Sequence, residues 1–203
     1  MFGVFFFAQG LTVGSDETNN LNISLDVPKF STPSYAVYAQ SGDVKLGAEN
    51  IKISVNAENS VVYGLYSEGG NLIVGSSSEN SKVLIETISE NFTAYTIGSQ
   101  SRLGSASINA ADIELVSSGM VLSYQGELNL GSSITKKLTM TTTAKSGAAV
   151  LIQNNGTARF VGDTVAITGG ATAVSVIGAD LTITADALNI ASTEGDGVAG
   201  QGF

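Results

Sequence analysis

The chain contains no cysteine and no histidine. Without cysteine there are no disulfides and no thiolate zinc sites, and without histidine no Ser–His–Asp relay can be built. Avoidance of cysteine also suits a polypeptide exported unfolded through an oxidising compartment. Proline is nearly absent: Pro28 and Pro33 are the two, and both fall in one connection. Everywhere else the backbone is free to donate to hydrogen-bonded ladders, which proline cannot do. Charge is sparse too, at 13% of residues, with a net of −9. The nine basic residues are scattered from Lys29 to Arg159, with Lys136–Lys137 the one adjacent pair. The linear order therefore offers no basic patch for a nucleic-acid backbone. No apolar run is long enough for a membrane-spanning helix, and the chain reads as water-soluble.

Ser, Thr, Asn and Gly fill the place of charge, around an apolar content of 43%. That palette favours strands and tight turns over helices. A strand-length signal returns about every 25 residues, through Tyr38, Tyr63, Tyr95, Leu122, Val150, Val174 and Ala199. Three short apolar runs recur within each period. The first holds Ala36–Tyr38, Val44–Leu46 and Ile51–Val55, and the fourth Met120–Leu122, Leu128–Leu130 and Leu138–Met140. The sixth holds Val174–Val176, Leu181–Ile183 and Leu188–Ile190. Alternation such as Val-Lys-Leu and Leu-Asn-Leu is the period-two mark of a half-buried strand. The pattern predicts an all-β fold, a right-handed, single-stranded parallel β-helix (solenoid) with three short strands per coil and coils of about 25 residues. Residues 35–203 make six to seven coils, incomplete at the C-terminus. Residues 1–34 make an irregular or partial first coil, with Leu11–Val13 and Leu21–Leu25 as its strands.

Phe2 to Phe7 reads as part of a coil; a truncated export signal is the alternative, although a basic leading region is missing. Gly197 to Phe203 reads as the opening of a further coil. A solenoid that stops mid-coil leaves a raw sheet edge, so the chain is expected to be a segment of a longer protein. The coil from Tyr63 to Tyr95 is the longest, with the extra residues assigned to Gly75–Ser81 and Glu86–Asn91. Insertions in a solenoid become corner loops, and such loops often bind, although a tolerated surface insertion is the preferred reading here.

Reactive chemistry is thin. Asp112 and Glu114 lie two apart on one strand and so share a face, but with no basic residue beside them in sequence they read as an exposed strand face rather than an acid–base pair. Glu194 and Asp196 sit in a Glu-Gly-Asp-Gly turn, without the repeating nonapeptide of calcium-bound β-rolls. Gly69-Gly70 and Gly169-Gly170 are turns rather than phosphate loops, since no lysine follows. Thr-rich runs at Leu138–Thr143 and Thr182–Thr184 fall in different strands of their coils, so they make no ice-binding array. Tyr38, Tyr63 and Tyr95 are placed on one ladder position. They could cradle a sugar, but stacking that stabilises neighbouring rungs is the preferred reading. Asn22, Asn91 and Asn155 open glycosylation sequons. No catalytic, cofactor-binding or metal residue is assigned.

The phrases Tyr35–Gly42 (YAVYAQSG), Asn71–Gly75 (NLIVG), Ala179–Ala185 (ADLTITA) and Ala187–Ile190 (ALNI) resemble the passenger domains of bacterial autotransporters and related haemagglutinin-like adhesins. The resemblance is one of style and period over residues 35–203. It implies an export signal upstream, a membrane β-barrel downstream, and a location on the cell surface or outside the cell of a Gram-negative-type bacterium. The function expected on this basis is a non-catalytic structural and adhesive stalk without cofactor, its partners a host-cell surface or glycans. The alternative is a polysaccharide-active β-helix enzyme, which needs carboxylates and a base converging in one groove.

Overall fold

A computed structural model describes residues 2–6, 10–28, 32–91 and 93–201, the first stretch by its backbone alone. These residues form twenty strands, numbered here in chain order, and no helix. The fold is a parallel β-solenoid of about 6 turns, with coils about 28 residues apart. At ~4.8 Å per coil that is roughly 30 Å of rod.

Three strand positions recur in each coil. The first face is an eight-stranded parallel sheet: β1 (Phe2–Phe6), β4 (Ser34–Ala39), β7 (Val62–Ser67), β10 (Ala94–Gly98), β13 (Met120–Tyr124), β16 (Ala148–Gln153), β18 (Thr172–Ile177) and β20 (Asp196–Gln201), in that order. The second face stacks β2 (Leu11–Gly14), β5 (Asp43–Gly47), β8 (Asn71–Gly75), β11 (Ser105–Asn109) and β14 (Glu127–Leu130). The third stacks β3 (Asn20–Val27), β6 (Asn50–Ala57), β9 (Lys82–Ser89), β12 (Asp112–Ser117) and β15 (Lys137–Thr142).

Three separate strands per coil do not persist to the end. In the last two coils the second and third strands run together as β17 (Thr157–Gly169) and β19 (Asp180–Ser192), which joins the two faces into one 12-stranded sheet. The physical reason is the corner. Where β14 and β15 are separated by Gly131–Lys136, the next coil has only Val161-Gly162-Asp163 and keeps pairing through the bend. Two consecutive exposed residues, Asp163 and Thr164, mark where the strand turns. At the other end, β1, β2 and β3 already stack in register on the following coil, with Phe2 opposite Tyr35, Leu11 opposite Val44 and Leu21 opposite Ile51. Phe7 lies outside the described residues.

The first face departs from strict alternation, and this corrects the ladder read from sequence. Tyr35, not Tyr38, pairs with Tyr63, which pairs with Tyr95; Tyr38 pairs with Tyr66. Tyr95 pairs with Met120 rather than Leu122, and Val174 with Val198 rather than Ala199. Between each outward pair the chain points two successive residues inward, as in Ala36-Val37, Gly64-Leu65 and Thr96-Ile97, all buried. The first of the two is small because space beside it is short. A Cβ on Gly64 would come within 2.8 Å of both the Ile85 methyl and the Thr96 carbonyl. The second builds an inward column of Val37, Leu65, Ile97, Leu122, Val150 and Val174, all buried. Each such side chain contributes about 1.5–3 kcal/mol through burial.

Buried polar groups are paired across coils. Thr87 and Thr96 share a hydroxyl contact at 3.2 Å, Thr96 donates to the Val116 carbonyl at 2.9 Å, and Ser117 donates to the Ala94 carbonyl at 3.0 Å. Among the described residues the exceptions are the hydroxyls of Tyr124 and Thr139. Tyr124 lies fully buried opposite Ile152 with its hydroxyl unpaired, near the Ser67 hydroxyl, which donates to the Gly70 carbonyl at 2.5 Å. Burial pushes the Tyr124 phenol well above its ordinary pKa, an effect that Ser67 reduces.

Candidate functional site

The corner between the second and third faces changes length from coil to coil. It is long between β8 and β9 (76–81), reduced to Ala110 and Ala111 between β11 and β12, and long again between β14 and β15 (131–136). The first of these loops accounts for the extra length of the Tyr63–Tyr95 coil. The second stretch assigned to that insertion, Glu86–Asn91, lies mostly within β9, which is as long as β6. Gly75 opens the loop at φ +117°, where a side chain would be strained and its Cβ would run into the Asn109 carbonyl.

Two long loops around a short one make a saddle. The resulting groove, about 450 Å³, is lined by Glu79, Ser81, Lys82, Asp112, Lys136 and Lys137, with Asn80 and Ala111. Its walls are pinned to its floor. Ser81 Oγ donates to the Ser78 carbonyl at 2.5 Å and accepts from the Ala111 N–H at 3.1 Å. On the other side Thr135 Oγ1 donates to the Ala110 carbonyl at 2.7 Å and Ser132 Oγ to Asn109 Oδ1 at 2.6 Å. Lys136 reaches across, its Nζ donating to the Glu79 carbonyl at 3.3 Å.

Asp112 and Glu114 do face one side, but the premise that no base is near them is corrected by the register. Asp112 has Lys82 on one flank and Lys137 on the other, whereas Glu114 has Leu84 and Thr139. Only Asp112 enters the groove. The lysines were missed because they stand a coil away in sequence. A signal was present: Lys82, Asp112 and Lys137 each immediately precede the first inward residue of their strands, Val83, Ile113 and Leu138.

The tyrosines form a separate feature on the outer side of the first face. Tyr35, Tyr63 and Tyr95 stack at 5.1 and 4.8 Å between ring centroids, with interplanar angles of 18° and 9°. Tyr38 stacks on Tyr35 at 4.9 Å, and Tyr66 meets Tyr63 edge-on at 4.9 Å. Gly98 makes room for this, since a Cβ there would lie 2.6 Å from the Tyr63 ring. Both faces of Tyr63 are covered by neighbouring rings, so the stack turns ring edges outward. A sugar stacks on a free aromatic face, and this geometry favours the rung-stabilising role. Tyr38 donates its hydroxyl to the Glu68 carboxylate; burial first and that bond second hold its pKa well above the ordinary tyrosine value.

The remaining candidates stay apart. Glu194 is exposed in the turn before β20, and Asp196 opens that strand opposite Thr172. Among the described residues no group of three or more acidic side chains is arranged to hold a metal ion. The two threonine runs fall on different faces, Thr139 opposite Ala166 and Thr182 opposite Arg159. A further cleft of about 620 Å³ has a partly apolar floor of Val27, Ala57 and Ile88 and an acidic rim of Asp26, Glu58 and Glu90. Comparison with known proteins finds no matching family model, no matching curated protein and no matching solved structure.

Proposed function

We propose that this chain is a non-catalytic structural and adhesive rod, a stiff β-solenoid of a bacterial surface-exposed or secreted protein of the autotransporter-passenger or haemagglutinin-like kind. The observation that supports the reading is the continuous in-register stacking of coils, with one apolar core along the axis and polar loops projecting at one corner. Each coil is held mainly by its neighbours, so such a rod folds by propagation and presents its corners at fixed spacing. Its partners are then cell-surface or glycan groups that meet the corner loops. The test is to label intact and lysed cells of the source organism with antiserum raised against the purified chain. Labelling of intact cells, or recovery of the chain from the medium, is expected. A signal confined to lysed cells overturns the reading.

A second reading, a polysaccharide-active enzyme, is favoured by one observation: Glu79 and Asp112 share a groove with three lysines. An acid, a base and a cation in one groove are the minimum for glycosidic cleavage. Incubation with acidic polysaccharides and assay for new reducing or unsaturated ends separates the readings. Cleavage that disappears in Asp112→Asn favours the enzyme, and intact polymer favours the rod.

A further inference from the structure

We infer that the groove at the 76–81 and 131–136 corner is a binding site for an acidic oligosaccharide, a chain of sugars carrying carboxylate or sulfate groups. The inference rests on the reading of the chain as a rod that binds through its corner loops, and it names the ligand class. Three of the nine basic residues of a chain with net charge −9 line this one groove. The three lysines outnumber the two carboxylates of the groove, Glu79 and Asp112, so it carries an excess of positive charge that attracts an anion. Among the described residues, Lys136 spends its recorded hydrogen bond on a backbone carbonyl, which leaves its positive charge unneutralised by that bond.

The mixture of groups selects the ligand. Lys82, Asp112 and Lys137 alternate in sign along one ladder, at the ~4.8 Å spacing of stacked strands. A ligand that alternates anionic groups with hydroxyls satisfies both signs: ammonium groups donate to its oxyanions, while Asp112 and Glu79 accept from its hydroxyls. Asn80 adds an amide that can do either. A compact phosphate fits less well, because the two carboxylates would face it. The groove crosses two coil spacings, roughly 10 Å, wide enough for a sugar chain to lie across the corner. The walls are already tied by Ser81, Ser132 and Thr135, so little ordering remains to oppose binding.

Isothermal titration of the purified chain tests this with four probes: an oligogalacturonate, a heparin-derived sulfated oligosaccharide, the methyl-esterified oligogalacturonate, and inorganic phosphate. Binding of one or both acidic oligosaccharides, weakened by salt, is expected, with the ester and phosphate weaker by about tenfold or more. The two acidic arms tell carboxylate from sulfate. The double variant K82Q/K137Q should lose about tenfold or more in affinity, one lost charge-assisted bond being worth that much. K45Q/K52Q, altered on the neighbouring coil away from the groove, should bind as the parent does. Equal binding of ester and acid, unchanged affinity in K82Q/K137Q, or no binding of either acidic probe overturns the inference. Failure here with intact cells still labelled removes the ligand and leaves the rod. Binding here with labelling confined to lysed cells does the reverse.

Discussion

Tyr63 is the best single test of how the outer face of this solenoid is held. Its ring meets Tyr35, Tyr95 and Tyr66 at 5.1, 4.8 and 4.9 Å, and the residue is 7% exposed although it points away from the core. Tyr63→Ala removes three ring pairs, each worth about 0.5–1.5 kcal/mol beyond area burial. The sum, about 3 kcal/mol, agrees with the lower end for truncating a buried aromatic to alanine, about 3–5 kcal/mol. Tyr63→Phe keeps all three ring pairs and should stay within about 0.5 kcal/mol of the parent. Urea unfolding followed by far-UV circular dichroism measures both. Because solenoid coils couple to nearest neighbours, amide exchange should show the loss concentrated in β4, β7 and β10. A Tyr63/Tyr95 double-mutant cycle should return a coupling of about 1 kcal/mol. If Tyr63→Ala is no worse than Tyr63→Phe, or the coupling is nil, the rings do not hold these coils together.

Four further outcomes follow from the packing. Gly98→Ala should destabilise by about 1–3 kcal/mol as its Cβ meets the Tyr63 ring, whereas Gly200→Ala, with nothing within 4 Å, should be nearly silent; equal effects would refute the close approach. Thr96→Val, which strips two buried hydroxyl contacts, should cost about 1–3 kcal/mol in urea unfolding, and a neutral result would remove the interior network from the account. Tyr124→Phe should be neutral or stabilising, since the hydroxyl it deletes is buried and unpaired; a loss above about 1 kcal/mol would mean that the hydroxyl has a partner in solution. Burial is the leading cause that raises the pKa of Tyr35, Tyr38, Tyr63, Tyr66 and Tyr124 above the ordinary 10.0. The fold therefore holds these protons more tightly than the unfolded chain does. Their contribution is complete below pH 10 and is lost as the pH rises toward the raised values. The urea midpoint should fall as pH is raised beyond 10, and a midpoint flat to about pH 11 would refute this linkage.

Residue order alone was enough for the architecture. Runs such as Val44-Lys-Leu46, Leu128-Asn-Leu130 and Leu181-Thr-Ile183 each carry an inward–outward–inward choice in three residues, and their return at a near-constant interval requires stacked coils. Scarce proline, absent cysteine and the Ser/Thr/Asn/Gly surface agree with that fold, because no crosslink or metal is needed where each coil buries its neighbour. Register on the first face was harder to read. The two successive inward residues at Ala36-Val37 and Gly64-Leu65 shift the phase, and period-two counting then lands on Tyr38 instead of Tyr35. The pattern of a small residue followed by a large aliphatic one, flanked by outward tyrosines, is a legible signal for that shift.

The groove was decided by tertiary structure. Lys82, Asp112 and Lys137 are distant in sequence and adjacent in space because a parallel ladder sets equivalent positions side by side. Which loops flank them depends on the corner lengths of three successive coils at once, a long, a short and a long. The fusion of strands in β17 and β19 has the same origin, since the short corners of these two adjacent coils pair with each other through the bend, Val161 with Thr184 and Gly162 with Ala185. A sequence determines directly what each residue does to its own strand, through burial and backbone preference. What it places beside that residue is set by register and loop length together, and these are fixed only when the coils stack.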